Sequence, residues 1–208
     1  IPEGFSSSEI VDVLRSELAF TKLDIQEFEG KVALKEGYLF PDTYFFLPNI
    51  TASEAADAML KNYQARVETL SPELFVFSRP EADVIKMASI IEEEARTEES
   101  RRIIAGILWK RLDEGMPLQV DAAFAFVNGK KDSALLTLDD LKIESPYNTY
   151  TNKGLPPTPI SNPGLVAIKA TITPIETKYY YYLSDKQGNM HYAVTHDEHV
   201  ANKNKYLR

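Results

Sequence analysis

Three consecutive glutamates, residues 92 to 94, follow directly on an apolar stretch in the segment MASIIEEEART (residues 87 to 97). A carboxyl group that is partly removed from water keeps its proton to a higher pH, which suits a general acid working near neutrality. On a solvated face the same residues carry no chemical meaning. The first question is therefore which of the three points toward the apolar side.

Helical spacing singles out Glu92. The pattern predicts a helix over residues 81 to 96, whose apolar side chains fall in one arc at about 100° per residue. Glu92 lies inside that arc, between Ala88 and Ile85, whereas the next glutamate points to solvent and the third lies at the far edge. The helix therefore predicts one desolvated carboxyl.

Two interpretations of Glu92 stay open at this point. In the first, small Ala88 and Ser89 one turn earlier leave space over this surface for a ligand, on which Glu92 acts as a general acid. In the second, Glu92 forms an ordinary surface ion pair with Arg96 at position i+4.

The elements that must position these residues favour an α+β fold. Apolar spacing and capping residues predict further helices over residues 8–19, 23–28, 53–70, 101–114, 163–170 and 197–207. Residues 1–5 are interpreted as a strand end and a glycine turn. YYYYL (179–183) and MHYAV (190–194) flank a glycine-containing turn and predict a C-terminal β-hairpin. Helices and strands alternate without a βαβ rhythm, so the class is α+β.

A long Pro-rich loop separates the two halves of this pattern. Residues 144–164, ESPYNTYTNKGLPPTPISNPG, contain five prolines and two glycines, which exclude regular structure. Long irregular loops in compact domains are usually functional or disordered. The tyrosines and the asparagine in YNTY argue against disorder, so the sequence predicts an active-site loop.

Composition excludes several classes of function. The chain of 208 residues has a net charge of −8 and no basic run, which argues against a nucleic-acid surface. It has no cysteine, so disulfide and thiolate chemistry are excluded.

The histidines near the C-terminus have the composition of a metal site. His191, His196 and His199, with Asp197 and Glu198, occupy a predicted strand and a predicted helix start. Their spacing does not imply convergence. We therefore predict no metal and no cofactor, and keep a metal-dependent hydrolase as a weaker alternative.

Six segments in a fixed order resemble the YceG-like family of endolytic murein transglycosylases. They are EGYLFPDTY (36–44), ASIIEEEA (88–95), the RL of WKRL (109–112), GMPLQVD (115–121), ESPYNTY (144–150) and KGLPPTPISNPGLVAIKA (153–170). The opening IPEG and the set His191, Tyr192, Glu198 and His199 also match. The SPYNTY and GLPPxPISNPG block is the most specific part.

The resemblance implies an enzyme that cuts the β-1,4 bond between N-acetylmuramic acid and N-acetylglucosamine inside nascent peptidoglycan strands. It leaves a 1,6-anhydro-muramyl end and stops glycan elongation beside the peptidoglycan synthases, the penicillin-binding proteins. No cofactor is implied. The alternative is a non-catalytic peptidoglycan-binding or scaffold module of the cell-wall machinery, in which Glu92 is structural.

The resemblance also implies a location and a domain organisation. Family members are single-pass proteins of the bacterial cell membrane, with a transmembrane helix and a LysM-like region ahead of an extracytoplasmic catalytic domain. We expect this chain to be a fragment without the membrane helix. Residues 1–35 then form a strand-helix segment adjoining the LysM-like region, and residues 36–208 form the catalytic domain.

In the family motif A-S-I-V-E-K-E-T the first glutamate is catalytic, and it corresponds to Glu92. This chain departs from the family pattern at Glu93, Ala95 and Val120, where Lys, Thr and Ser or Thr are frequent. A lytic transglycosylase can use one carboxyl as acid and then as base.

The side chains expected to bind the glycan lie in four segments. They are Gln119 and Asp121, which hold the sugar or orient Glu92; Ser145, Asn148, Thr149 and Tyr150, which hydrogen-bond to it; Tyr147, which stacks on a ring; and Glu36 and Glu94, which form polar walls. The structural alternative is that Asn148 fixes the loop backbone and that Tyr150 belongs to the core.

Overall fold

The computed structural model describes residues 1–128 and 142–207, so residues 129–141 and 208 of the expected catalytic domain lie outside it. Its elements are α1 (Ser7–Glu17), α2 (Lys22–Val32), α3 (Ala52–Glu68), α4 (Ser71–Phe77), α5 (Glu81–Glu94), α6 (Glu98–Asp113), α7 (Asp121–Asn128), α8 (Leu165–Ile172), β1 (Tyr181–Ser184), β2 (Met190–Ala193) and α9 (His196–Tyr206). Helices with one C-terminal hairpin confirm the predicted α+β class.

Serine and threonine side chains set the start of five helices. Ser6, Thr21, Thr51, Thr97 and Thr195 each accept a hydrogen bond from the backbone N–H three residues on, in a reciprocal capping box. The box of Thr97 and Ser100 starts α6 three residues before the predicted position. Helix α4, with Pro72 in its first turn, was not predicted.

Helix α5 is the central element, and its length positions Glu92. Its residues 84, 85 and 87–91 are all buried, because α6 and α8 pack against it. The fully buried side chains of Met87, Ile91 and Leu108 join α5 to α6 in one cluster. The indole of Trp109 donates a 3.0 Å hydrogen bond to the carbonyl of Thr171, which fixes α6 to α8. The side chain of Glu92, near the end of this helix, is therefore next to buried apolar residues.

A second cluster packs the N-terminal helices against α3. Buried Ile10 and Phe28 share it with Leu39 and Met59, so residues before and after position 35 are packed together. The packing is therefore continuous across residue 35. The predicted division into an N-terminal segment (1–35) and a catalytic domain (36–208) stays a prediction. Of the strand end and glycine turn expected within residues 1–5, the turn is present at Gly4, with φ +81°, whereas the strand is wrong, because none of these residues is in a sheet.

The hairpin lies against the ends of α5 and α6. Tyr181 pairs with Ala193 and Ser184 with Met190 in an antiparallel ladder. The carboxylate of Asp185 closes the turn by accepting hydrogen bonds from the backbone N–H groups of residues 187 and 189. Across the described residues, none of the helices combines the length and apolar composition needed to cross a membrane.

Candidate active site

The carboxyl of Glu92 lies where α5 ends, and only 5% of its side-chain surface is exposed. One oxygen accepts a hydrogen bond from Nη2 of Arg101, and the other accepts a 2.9 Å hydrogen bond from the backbone N–H of Gly164. The surface ion pair with Arg96 is wrong, because the chain leaves the helix at Ala95, which has φ −147°, and Arg96 is no longer one helical turn away.

Burial raises the pKa of Glu92 above its ordinary value. Three nearby groups modify this effect: the N–H of Gly164 and the charge of Arg101 lower the pKa, and the charge of Glu3 raises it. The net direction is upward, as the helical pattern predicts for a desolvated acid.

Glu92 stands at the wall of a groove of about 680 Å³. The helical side of the groove consists of residues 92–97 with Glu99, Ser100 and Ile103, and the hairpin side consists of Ser184, Gly188, Asn189, Met190 and Tyr192. Of the predicted site residues, Glu92 and Glu94 line this groove. The hairpin wall was not predicted as part of the site.

The space expected over Ala88 and Ser89 is filled by protein. Both residues are fully buried. The N–H of Ile160 donates to the hydroxyl of Ser89 at 3.0 Å, and the hydroxyl of Ser161 donates to the Ser89 carbonyl at 3.2 Å. The small residues thus admit the end of the Pro-rich loop and leave no room there for a ligand.

Glu94 lies between the groove and two of the predicted site residues, Asp121 and Tyr150. It accepts a 3.1 Å hydrogen bond from the hydroxyl of Tyr182, and the nearby backbone N–H of Ala122 lowers its pKa. The charge of Asp121 is close by, and Tyr150 donates a 2.5 Å hydrogen bond to Asp121. Desolvation raises the pKa of Glu94 to about 7. Asp121, Tyr150 and Glu94 therefore form one cluster beneath the hairpin.

Glu94→Gln is expected to make the protein more stable at pH 8 and to leave it nearly unchanged at pH 5. The pKa of Glu94 is about 7 in the folded chain, against an ordinary value of 4.5. The folded state therefore binds this proton more tightly, and the free energy of unfolding falls as the pH rises between these values. Urea unfolding at both pH values should show a gain of about 1 to 3 kcal/mol at pH 8.

Glu98→Gln is the matched control for this measurement, because it removes an exposed carboxylate from the adjoining helix. Its effect on stability should be the same at both pH values. A Glu94→Gln variant with the pH dependence of the unmodified protein would contradict the assignment of this titration to Glu94.

The remaining loop residues mainly hold the loop together. Asn148 is fully buried, donates to the carbonyl of Ile143 at 2.9 Å and accepts from the N–H of Tyr150 at 3.0 Å. The hydroxyl of Thr149 accepts from the N–H of Val120 at 2.9 Å. These contacts agree with the alternative in which Asn148 fixes the loop backbone. Contact of Asn148 and Thr149 with substrate stays a prediction.

Ser145, Tyr147 and Gln119 also lie outside the groove lining. The Ser145 hydroxyl accepts a 3.2 Å hydrogen bond from the N–H of Tyr147. The hydroxyl of Tyr147 lies 2.8 Å from that of Thr158, and its ring packs against Phe126. Exposed Gln119 has a left-handed backbone, with φ 53°, and its N–H donates to the carbonyl of Thr149. Their roles as substrate contacts stay predictions.

Glu36 is not among the residues that line the groove. Its carboxylate accepts hydrogen bonds of 3.1 Å from the N–H of Ser7 and from the side chain of Asn162. Burial raises its pKa. Asn162 is two residues before Gly164, so Glu36 supports the backbone that contacts Glu92.

Sequence reasoning missed Arg101, Gly164 and Tyr182. The first two contact Glu92, and the third contacts Glu94. Gly164 lies in the ISNPG motif, and its place in that motif was the only feature of the sequence that indicated a functional role. An arginine in the first turn of the next helix and a tyrosine in a tyrosine-rich strand gave none.

The histidines do not converge on one point. His191 lies 2.9 Å from the carboxylate of Asp185, whereas His196 and His199 pack against the ring of Tyr181. Within the described ranges, no three His, Asp or Glu side chains are arranged to hold a metal ion.

The fold and the site together define a class: an α+β domain with desolvated glutamates, Glu92 and Glu94, in the wall of a groove between two helix ends and a β-hairpin. Comparison with known families gives this class its name. The chain belongs to the YceG-like family, whose model matches residues 1–205.

Individual relatives agree with this assignment. The chain is similar to the endolytic murein transglycosylase of Bacillus subtilis, at 39% identity over 173 residues, which cover 83% of this chain and 48% of the relative. The endolytic murein transglycosylase of Streptococcus pneumoniae strain D39 is 32% identical over 176 residues, with 80% and 31% covered. The chain thus spans about half and about a third of their lengths.

A solved structure has the same fold. The crystal structure of a YceG-like protein from Listeria monocytogenes matches with a TM-score of 0.85 and 31% identity. The match covers 97% of this chain and 74% of that one.

Proposed function

We propose that this chain is a peptidoglycan lytic transglycosylase with Glu92 as its catalytic acid and base. The observation that carries the proposal is the setting of Glu92: a carboxyl shielded from water, with a raised pKa, at the wall of an open groove. The names of the relatives in Bacillus and Streptococcus support the substrate class.

The reaction needs one proton to move twice. Protonated Glu92 donates to the oxygen of the bond between N-acetylmuramic acid and N-acetylglucosamine, and the bond from C1 to that oxygen breaks with its electron pair leaving on the oxygen. The Glu92 carboxylate then takes the proton of the muramyl C6 hydroxyl while O6 forms a bond to C1. The product carries a 1,6-anhydro ring, and the acid is regenerated.

This route explains why one carboxyl is sufficient. Hydrolysing glycosidases generally use two carboxylates, the second acting as nucleophile or activating a water. Here the nucleophile is part of the substrate, so no second group has to hold water. Glu94 already accepts a hydrogen bond from Tyr182, which fits a supporting place in the groove wall.

The product distinguishes the proposal from its rivals. We expect the purified chain to convert uncrosslinked glycan strands into fragments with anhydro-muramyl ends, which mass spectrometry detects as lighter than reducing ends by one water. Reducing ends would indicate a hydrolase instead. Binding to strands without any cleavage would favour the non-catalytic module, and activity that is lost with EDTA would favour the metal-dependent hydrolase.

The finer parts of the proposal concern the cell. We propose that the substrate is the nascent strand, that cleavage ends its elongation beside penicillin-binding proteins, and that the domain works outside the cytoplasmic membrane. Membrane attachment stays a prediction, because the chain spans 48% and 31% of the two relatives' lengths.

Tyr192→Ala is expected to weaken glycan binding about 2- to 10-fold with little change in kcat. Tyr192 lies on the hairpin side of the groove, and its ring is stacked on Tyr179 with centroids 5.4 Å apart. A rigid aromatic face suits the apolar face of a pyranose. Binding isotherms with glycan oligomers and the split between KM and kcat measure the effect.

Tyr180→Ala provides the matched comparison, since Tyr180 bonds to Glu114 and is not among the residues that line the groove. Equal losses of affinity in both variants would show a general loosening of the hairpin and would contradict a sugar contact at Tyr192.

A further inference from the structure

The side chain of Arg101 donates hydrogen bonds both to the carboxyl of Glu92 and to the backbone at the end of α5. Its residue surface is 8% exposed, in the first turn of α6. One guanidinium nitrogen, Nη2, donates to the carboxyl of Glu92, and Nε donates to the carbonyl of Ala95 at 2.9 Å. Ala95 is the residue at which the chain leaves α5. The planar guanidinium therefore fixes the carboxyl relative to the backbone that carries it.

Stability alone gives a weak reason for this pair. Removing two charges from water costs several kcal/mol each, and apolar residues of similar volume often pack as well or better than a buried ion pair. The surroundings of Glu92 already supply such packing through Ile91 and Ile104, which are fully buried. The pair therefore points to a requirement of the site.

The hydrogen bonds at Glu92 match its ionised form. A neutral carboxyl carries a proton on one oxygen, whereas here both oxygens accept from N–H donors, those of Arg101 and Gly164. The other charged groups facing it are Glu3 from the N-terminal turn and Glu93 from α5 itself. The two donors favour the ionised form and oppose burial, the largest cause of the raised pKa of Glu92.

We propose that Arg101 is a positioning residue that aims the carboxyl of Glu92 into the groove and stabilises the carboxylate left behind once Glu92 has donated its proton. The inference rests on the proposed function, since it deepens the role of the same site. In the first step Arg101 receives a new charge partner as the proton moves to the glycosidic oxygen. In the second step the proton of the C6 hydroxyl moves to the Glu92 carboxylate as O6 bonds to C1, so the carboxyl is neutral again and its charge pair with Arg101 ends.

The test uses Arg101→Met, which removes the charge and both hydrogen bonds, and Arg101→Lys, which keeps the charge. Arg102→Met is the matched control, because Arg102 is the next residue on α6 and donates to the carbonyl of Thr173. For each variant, carbon-13 NMR of the side-chain carboxyls gives the pKa of Glu92, and the rate of anhydro-end formation is recorded against pH. Thermal unfolding of each variant reports whether it folds.

Arg101→Met is expected to raise the pKa of Glu92 by about 1 to 3 pH units, because a nearby positive charge is lost. The alkaline limb of the rate profile, where Glu92 loses its proton, should move upward by the same amount. The rate at its maximum should fall about 10-fold or more, because the carboxylate formed in the first step is no longer stabilised. Arg101→Lys should restore most of the pKa.

A pKa of Glu92 that is the same in Arg101→Met and in the unmodified protein would overturn the proposal, as would an equal change in Arg102→Met. Should Arg101→Met fail to fold, the neutral polar variant Arg101→Gln takes its place in the same titration, where a raised pKa of Glu92 supports the proposal and an unchanged pKa contradicts it. If the unmodified protein makes no anhydro ends, the proposed function fails, while the NMR titration still decides whether Arg101 controls Glu92.

Discussion

Glu92→Gln is expected to lower the rate of anhydro-end formation by at least about 10³-fold, the largest effect of any single substitution in this chain. An amide cannot donate a proton to the glycosidic oxygen and cannot accept one from the C6 hydroxyl, so both steps of the proposed reaction are lost. The amide keeps the size of the side chain and can still accept the hydrogen bond from Arg101. Binding of glycan strands should therefore change little.

The measurement is mass spectrometry of muramyl ends over time, with Glu98→Gln as the control for charge removal near the groove. Glu98 is exposed in the first turn of α6 and is not among the groove-lining residues. Cleavage by Glu92→Gln at a rate within a few fold of the unmodified protein would remove Glu92 from catalysis and return attention to Glu94.

Gly106→Ala is expected to lower the free energy of unfolding by about 2 to 3 kcal/mol and the Tm by about 5 to 10 °C. A methyl group at this position would lie 2.1 Å from the carbonyl oxygen of Ile175. That oxygen belongs to backbone whose N–H is bonded to the carbonyl of Arg102 at 3.0 Å. Helix α6 would have to move away from this segment, because neither side can yield alone.

Gly30→Ala is the comparison at a second helical glycine, where no atom outside the local helix backbone lies within 4 Å of the added methyl group. It should stabilise the protein by about 0.5 to 1 kcal/mol, the usual difference between alanine and glycine inside a helix. Urea and thermal unfolding of both variants give the comparison. Equal changes in the free energy of unfolding for Gly106→Ala and Gly30→Ala would contradict the prediction that the short distance between Gly106 and Ile175 excludes a methyl group.

The sequence was sufficient to find Glu92, because a helical period determines which side chains share a face. The same argument placed the hairpin and most helices, since apolar spacing and capping residues are local signals. It failed for the start of α6, where the capping box of Thr97 and Ser100 lies ahead of the apolar pattern. It also failed for α4, a seven-residue helix without a buried face.

The partners of Glu92 could not be predicted because they come from other elements. Arg101 reaches it across a turn that ends one helix and starts another, and Gly164 approaches from residues 72 positions later. Nothing in the local pattern near either residue encodes this meeting. The space over Ser89 was misjudged for the same reason, since the segment that fills it is 71 residues away in sequence.

Polar residues of the Pro-rich loop were assigned to the substrate from their types alone. Asn148 and Thr149 both satisfy backbone groups, as a loop without regular structure requires, and their contact with substrate stays a prediction. Residue type does not distinguish an amide that binds a sugar from one that closes a turn. Only the number of internal partners does so.

The side chain of Asn162 has a consequence for the order in which the molecule assembles. It donates to Phe5 and to Glu36, 157 and 126 residues away in sequence, and accepts from Leu39, 123 residues away. Contacts between such distant segments form slowly, after the local helices. The backbone that contacts Glu92 is thus among the last parts to assemble, and a half-folded chain carries this carboxyl without the N–H of Gly164 that bonds to it.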